Sequence, residues 1–303
     1  SGKPVPGIWP LISALFAEIT FPCIYRRINA SIDTKQINSC FANNGSIYLK
    51  IQIPRAFITV SGDRERKESS HDSFYQCGSI MIAEWIIGKF NMDVKNRSSL
   101  AIVNWAFRWC LRLSGVKITY IGEERVPRDQ AVLYIGNHRS YFDILMTYVR
   151  VPRPTGYVAK IEMLKIPLLS NWMKNLHCLF LDRNDLKQGA KIILTAIGKI
   201  KDGISICIFP EGTRNKVPDT FLPFHAGSFK IAEKSGCPIV PIALNNAGDV
   251  FEDHLPKIKK THVVIEYGEP IYPNELPKED KKRLADITLE RIKEMYFKNK
   301  ELV

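Results

Sequence analysis

The chain has 303 residues, 45% of them hydrophobic and 24% charged, with a formal net charge of +12 at pH 7. That size suits one large α/β domain with an accessory segment, or two modest domains, and the composition excludes both a disordered chain and one that spans a bilayer throughout. The positive excess lies in the first 250 residues, because residues 251–303 carry 11 Lys+Arg against 11 Asp+Glu. An anionic partner is therefore expected there, and charge alone admits nucleic acid and anionic lipid equally. The seven cysteines are dispersed, with no C-x-x-C pair and no Cys/His cluster at ligand spacing. They read as reduced thiols, several of them in the core, and imply no metal or redox site.

Gly7 to Tyr25 is strongly apolar but contains Pro10, Glu18 and Pro22, and Arg26-Arg27 follow it. An acidic residue near the bilayer centre costs about 2.5–3.5 kcal/mol and prolines disturb a spanning helix, so an interfacial or re-entrant segment is expected, with a packed helix left open. Within residues 29–77, Ser46 to Ile53 and Ala56 to Val60 have the composition of short strands, and Gly62 to Asp72 that of a solvated loop. Gly78 to Phe90 is a second apolar stretch, too short to span. Leu100, Val103, Phe107, Cys110, Leu111 and Ser114 recur at helical spacing and predict a helix from Ser98 to Ser114. Trp105, Trp109, Arg108 and Arg112 suit that helix to a lipid interface, and equally to simple packing on a core.

From Lys117 onward the pattern alternates. Strands are expected at Ala131–Ile135, Tyr157–Ala159, Cys178–Leu181, Ile204–Phe209, Pro238–Ala243 and His262–Tyr267. Helices are expected at Tyr141–Val149, Ile161–Asn175, Leu186–Lys201, Ser228–Lys234 and Pro277–Phe297. This is the order of an α/β domain with a largely parallel sheet flanked by helices, preceded by an N-terminal helical membrane-interface segment.

Three groups of residues carry chemistry. The first is Asn137-His138-Arg139-Ser140-Tyr141-Phe142-Asp143, at the end of a strand. On an ideal helix His138 and Asp143 point about 140° apart, so they meet only if His138 lies in the loop and Asp143 reaches back from the first helical turn, which Ser140 is placed to cap. A carboxylate so placed fixes the imidazole tautomer and leaves the other ring nitrogen free as a base. The same spacing also recurs by chance in purely structural settings. The second group, Phe209-Pro210-Glu211-Gly212-Thr213-Arg214, follows an apolar strand, where open α/β sheets bind ligands. Arg214 offers planar donors to a phosphate and Gly212 permits close backbone approach, although an ordinary turn has the same composition. The third is Lys160 together with Arg183 in Phe180-Leu181-Asp182-Arg183, each a cation at a strand end that is unremarkable alone. Jointly, four strand ends place His/Asp, Lys, Arg and Glu/Arg on one edge of a parallel sheet.

This ordered set, Asn-His-x-Ser-x-x-Asp, the Lys160 loop, Phe-x-Asp-Arg, Phe-Pro-Glu-Gly-Thr-Arg and Val240-Pro241-Ile242, resembles the glycerolipid acyltransferases, most closely the bacterial 1-acyl-sn-glycerol-3-phosphate acyltransferases, over roughly residues 80–298. The resemblance implies acyl transfer from acyl-CoA or acyl carrier protein to lysophosphatidate, giving phosphatidate, with no cofactor. It implies that His138 is the general base and Asp143 its partner. Lys160, Arg183, Glu211, Gly212, Thr213 and Arg214 are implied to bind phosphate or glycerol, and Val240-Pro241-Ile242 to shape the acyl pocket. Residues 1–77 are then an unassigned extension, 78–116 the interface segment and 117–303 the acyltransferase domain, working at an anionic bilayer on the cytoplasmic face of the cell membrane. One departure is His177, where such proteins often carry Gly ahead of Phe-x-Asp-Arg.

Other readings keep part of this pattern. Another glycerol-phosphate or lysophospholipid acceptor fits every motif. A thioesterase fits the base but lacks a Gly-x-Ser-x-Gly elbow. A non-catalytic lipid- or nucleic-acid-binding protein explains the charge but not the His/Asp pair, and no nucleic-acid module is present.

Overall fold

The computed structural model describes residues 83–303, apart from residues 167, 168 and 256. The readings for Gly7–Tyr25 and residues 29–77, and the start of Gly78–Phe90, lie outside the described residues. The chain divides between Ala83 and Glu84 into two units, and the account below concerns the second, Glu84–Val303.

Residues 83–90 are helical, and α1 (Met92–Leu113) follows directly. It begins six residues before the periodicity predicts, because Asn91 caps it by accepting from the Val94 N–H, with Asp93 in the first turn. The buried Glu84 carboxylate accepts from the Ser98 and Ser99 hydroxyls at 3.0 and 2.8 Å and ties the two helices together. Val103, Phe107, Cys110 and Leu111 face inward, while Trp105, Arg108, Trp109 and Arg112 are exposed. No helix among the described residues is long and apolar enough to cross a membrane.

The described residues then form a seven-stranded sheet in the order β1-β7-β6-β2-β5-β3-β4, with β1 at Lys117–Ile121, β2 at Leu133–Gly136, β3 at Thr155–Lys160, β4 at Leu179–Leu181, β5 at Ser205–Ile208, β6 at Ile239–Asn245 and β7 at His262–Tyr267. Strands β6, β2, β5, β3 and β4 run parallel, whereas β7 is antiparallel to β6 and carries β1 parallel to itself. Pattern alone omits β1, a five-residue edge strand without a fully buried residue. The central strands β2, β5 and β6 are buried at every position, as parallel strands covered by helices on both faces must be.

Between them lie α2 (Phe142–Tyr148), α3 (Leu169–Asn175), α4 (Leu186–Lys201), α5 (Lys230–Ser235), α6 (Lys278–Lys282) and α7 (Leu284–Asn299). Helix α4 keeps its expected bounds, and Asp185 caps it by accepting from the Lys187 and Gln188 N–H groups. The expected helix Ile161–Asn175 is instead a 3₁₀ turn, Ile161–Lys165, followed by α3. Ile166, which precedes Pro167, takes an extended conformation (φ −94°, ψ 105°), as a residue before proline does. The terminal helix is likewise broken at Arg283 into α6 and α7. Ile135, Ile206 and Ile239 of the sheet form the core with Ala196 and Ile200 of α4, Ile231 of α5 and Ile292 of α7.

His177 explains the departure from Gly. Its φ is +60°, the left-handed region that glycine enters without cost. It is held there by its ring, whose Nε2–H donates to Asn96 Oδ1 of α1 at 2.9 Å, with Lys199 of α4 at 3.5 Å from Nδ1. Burial, with Lys199 and Lys95 nearby, lowers its pKa from 6.5 to about 4. The neutral ring is therefore favoured in the fold, and the unfolded chain binds the extra proton between those two values. Stability contributed by His177 is complete above about pH 6.5 and is lost as pH falls towards 4. His177→Asn, which tolerates the left-handed backbone and cannot titrate, is expected to flatten the slope of unfolding free energy against pH over that window; an unchanged slope in urea titrations excludes this origin.

Candidate active site

The parallel register Leu133↔Ile206, Tyr134↔Cys207, Ile135↔Ile208 ends β2 and β5 together, so the loop after each lies beside the other. Gly136, the last residue of β2, passes so close to Phe209 that a Cβ there would lie 3.2 Å from its ring. His138 sits in the loop after β2, and its ring stacks on Phe209 at 4.4 Å and 13°. Asp143, in the first turn of α2, is fully buried and reaches back, so that His138 Nδ1 lies 2.8 Å from Asp143 Oδ2. A carboxylate only accepts, so Nδ1 carries the proton, and in the neutral ring Nε2 is the nitrogen with the lone pair. The same Oδ2 accepts from the Arg139 and Ser140 N–H groups, both at 2.8 Å. Ser140 Oγ accepts from the Phe142 N–H at 3.0 Å, starting the helix.

The second loop grips the His138 peptide from both sides. Glu211 Oε1 accepts from the His138 N–H at 2.9 Å, and the Asn215 N–H donates to the His138 carbonyl at 2.7 Å. Glu211 Oε2 accepts from the Leu222 N–H at 3.1 Å, so both oxygens of this buried carboxylate are taken by main-chain donors. Burial pushes the Glu211 carboxyl above its ordinary range, and the two N–H groups pull the other way. Gly212 has φ +72°, and a Cβ there would meet His225 at 3.1 Å, so the sharp turn needs glycine. Thr213 is exposed at its tip. The Arg214 guanidinium lies 3.7 Å over the Tyr141 ring, donates from Nη2 to the Tyr141 hydroxyl at 3.0 Å, and pairs through Nη1 with Glu252 at 2.9 Å.

The remaining cations stand further along the same sheet edge. Lys160 ends β3 in register with Leu181 of β4, two residues before the exposed Arg183. Neither makes a hydrogen bond to the His138 group. In spatial order the edge reads His138/Asp143 on β2, Glu211/Arg214 on β5, Lys160 on β3 and Arg183 on β4. Val240, Pro241 and Ile242 are buried within β6, with Pro241 opposite Ile135. Sequence reasoning omits Tyr141 and Glu252. Tyr141 stands inside the first motif, whereas Glu252 lies in a distant 3₁₀ turn, Glu252–His254, with no pattern around it.

Comparison with known proteins gives the class. A family model described as Acyltransferase matches residues 117–245. The chain is 31% identical over 211 residues to the 1-acyl-sn-glycerol-3-phosphate acyltransferase of Haemophilus influenzae, covering 66% of this chain and 85% of that protein. It is 34% identical over 155 residues to the Borreliella burgdorferi protein of the same name, covering 51% of this chain and 62% of the relative. With a probable 1-acyl-sn-glycerol-3-phosphate acyltransferase of Mycoplasma pneumoniae it shares 33% over 138 residues, 44% of this chain and 51% of the relative. The last two matches thus span only part of the relatives' length. The crystal structure of the 1-acyl-sn-glycerophosphate (LPA) acyltransferase PlsC from Thermotoga maritima has the same fold, with a TM-score of 0.63 over 74% of this chain and 89% of that one, at 21% identity. The chain belongs to this acyltransferase family.

The double grip on His138 is testable without turnover. Glu211→Ala is expected to lower the unfolding free energy by about 2–4 kcal/mol in urea, since each buried N–H left unpaired costs about 1–3 kcal/mol. Glu211→Gln retains one accepting oxygen and is expected to lose about half as much; equal stability of all three proteins removes the bracing role.

Proposed function

We propose that the protein transfers a fatty acyl group from a thioester, acyl-CoA or acyl carrier protein, to the free hydroxyl of 1-acyl-sn-glycerol-3-phosphate, giving phosphatidate for phospholipid biosynthesis. The observation that carries this reading is the pairing of a partly exposed His138 with the fully buried Asp143, which directs Nε2 away from the carboxylate beside a loop that contains Arg214. The acceptor hydroxyl gives its proton to Nε2 as its oxygen attacks the thioester carbonyl. Asp143 stabilises the imidazolium so formed. Collapse of the tetrahedral intermediate breaks the C–S bond, and the imidazolium returns the proton to the departing thiolate. Arg214, Lys160 and Arg183 supply positive charge for the phosphate, and Gly212 and Thr213 shape the turn beside it. No metal or cofactor takes part in this scheme.

His138→Ala is expected to lower phosphatidate formation at least about 100-fold and Asp143→Asn to impair it severely, because general base catalysis contributes about 10²–10⁴. Mass-spectrometric product analysis with a panel of lysolipids and acyl-CoAs is the measurement. More than about a tenth of wild-type turnover in His138→Ala removes the base assignment. Acyl loss without any lysolipid favours a thioesterase, and preference for an acceptor other than lysophosphatidate moves the substrate within the family.

The acceptor is a lipid, which supports a working position at an anionic membrane surface. Trp85 and Phe90 are 61% and 87% exposed, next to exposed Met92 and Val94. Lys89 lies 5.2 Å over the Trp85 ring, a basic and aromatic combination suited to lipid headgroups. Trp85→Ala with Phe90→Ala is expected to reduce co-sedimentation with anionic vesicles, and added salt to weaken what remains. Unchanged sedimentation moves the membrane face elsewhere.

A further inference from the structure

We propose that Glu252, acting with Tyr141, is a positioning residue that holds Arg214 in the orientation in which it receives the acceptor's phosphate. The inference rests on the acyl-transfer reading for the identity of that phosphate, and on geometry for the rest. Glu252 stands seven residues beyond the end of the family match at Asn245. Its Oε1 accepts from two groups at once, the Tyr141 N–H at 2.8 Å and Arg214 Nη1 at 2.9 Å. The ring of Tyr141 lies beneath the guanidinium, 3.7 Å from it, and its hydroxyl accepts a hydrogen bond from Nη2 at 3.0 Å. A guanidinium has five N–H donors, so two are spent on this clamp and three are left for a ligand.

The turn that carries Glu252 is itself anchored to the catalytic loop. Asp253 accepts from Arg139 Nη2 with both oxygens, at 3.1 and 2.9 Å. Gly248 gives this pair room, for a Cβ there would lie 2.7 Å from both Arg139 Nη2 and Asp253 Oδ2. Two adjacent acids therefore hold residues 139 and 141 of the His138 loop and Arg214 of the neighbouring loop at once. Burial raises the Glu252 carboxyl, against which the Ser140 hydroxyl, the Tyr141 N–H and Arg214 favour its charged form. Releasing Arg214 to a phosphate would leave that charge buried and unpaired, a costly state. Arg214 accordingly stays clamped, and the phosphate takes the donors that remain.

The test uses the full chain in mixed lipid vesicles, with acceptor and donor varied separately. Glu252→Ala is expected to raise KM for lysophosphatidate about tenfold, the worth of one charge-assisted hydrogen bond, and to change kcat and the donor's KM less than about threefold. Glu252→Gln can accept the same two hydrogen bonds through its amide oxygen, and is expected to stay within about threefold of wild type. In an Arg214→Ala background Glu252→Ala is expected to add nothing. An unchanged acceptor KM in Glu252→Ala, a Gln variant as impaired as the Ala one, or additive losses with Arg214→Ala overturns the proposal. If the wild-type protein does not use lysophosphatidate, the acyl-transfer reading fails, and the side-chain ¹⁵N signals of Arg214 decide the positioning role separately. Dispersed guanidinium signals that collapse in Glu252→Ala but persist in Glu252→Gln support it, and dispersion retained in both variants overturns it. Should Glu252→Ala not fold, Tyr141→Phe removes the hydroxyl on Nη2 alone. A selective rise in acceptor KM there supports the clamp, and no rise overturns it.

Discussion

The site depends on one constraint, the parallel pairing of β2 with β5. Their register brings both strands to an end at the same level, and the two loops that follow have nowhere to go but against each other. Glu211 then finds the His138 N–H, Asn215 finds the His138 carbonyl, and Phe209 lies under the imidazole. Because side chains alternate along a strand, a slip of one residue would carry Ile206 and Ile208 to the opposite face of the sheet, where the packing is made for Ser205 and Cys207, so the packing that builds the sheet also fixes the site. The helices matter for the site chiefly through α2, whose first turn brings Asp143 back to the loop.

Three buried carboxylates organise the two loops: both oxygens of Glu211 are hydrogen-bonded, whereas Asp143 and Glu252 gather their bonds on one oxygen each. Asp143 takes two main-chain N–H groups and the imidazole, Glu211 takes two N–H groups, and Glu252 takes one N–H and a guanidinium. Bonds to a charged acceptor are worth about 1.5–3 kcal/mol each, which offsets the cost of taking the charge out of water. Five of these seven donors are main-chain N–H groups, so most of the bracing holds whichever side chains stand at those positions. This arrangement also leaves Lys160 and Arg183, both on the β3–β4 side of the edge, outside the hydrogen-bonded group.

What was legible in the sequence follows from range. Strands β2 and β5–β7 read as apolar runs because burial on both faces, or nearly so, requires them to be apolar. His138 and Asp143 are five residues apart, and helix geometry alone dictates how they meet. Strand β1 escaped because an edge strand half open to solvent needs no continuous apolar run. The split of Ile161–Asn175 had a local signal in Pro167, outweighed by the apolar periodicity around it. Glu252 had none. Its partners Tyr141 and Arg214 are 111 and 38 residues away, and only the fold brings an isolated acid in an unpatterned turn to both. His177 was visible as an anomaly, and its left-handed backbone supplies the reason that glycine suits the position.

The spatial order of strands also ranks the cations for the proposed chemistry. Neighbouring strands are about 4.8 Å apart, so β5 ends one spacing from His138, β3 about 10 Å away and β4 about 14 Å. In 1-acyl-sn-glycerol-3-phosphate the free hydroxyl and the phosphate are on adjacent glycerol carbons. A hydroxyl poised at His138 Nε2 therefore brings its phosphate closest to the loop after β5, where Arg214 is already held. Lys160 reaches the same region only by extending its side chain across one strand, and Arg183 across two. Arg214 comes last of the three in the sequence yet first in this ranking, because β5 inserts between β2 and β3 in the sheet. Held rigidly and nearest the base, Arg214 is the cation whose orientation the acceptor feels first, and the one on which a distant acid such as Glu252 has most effect.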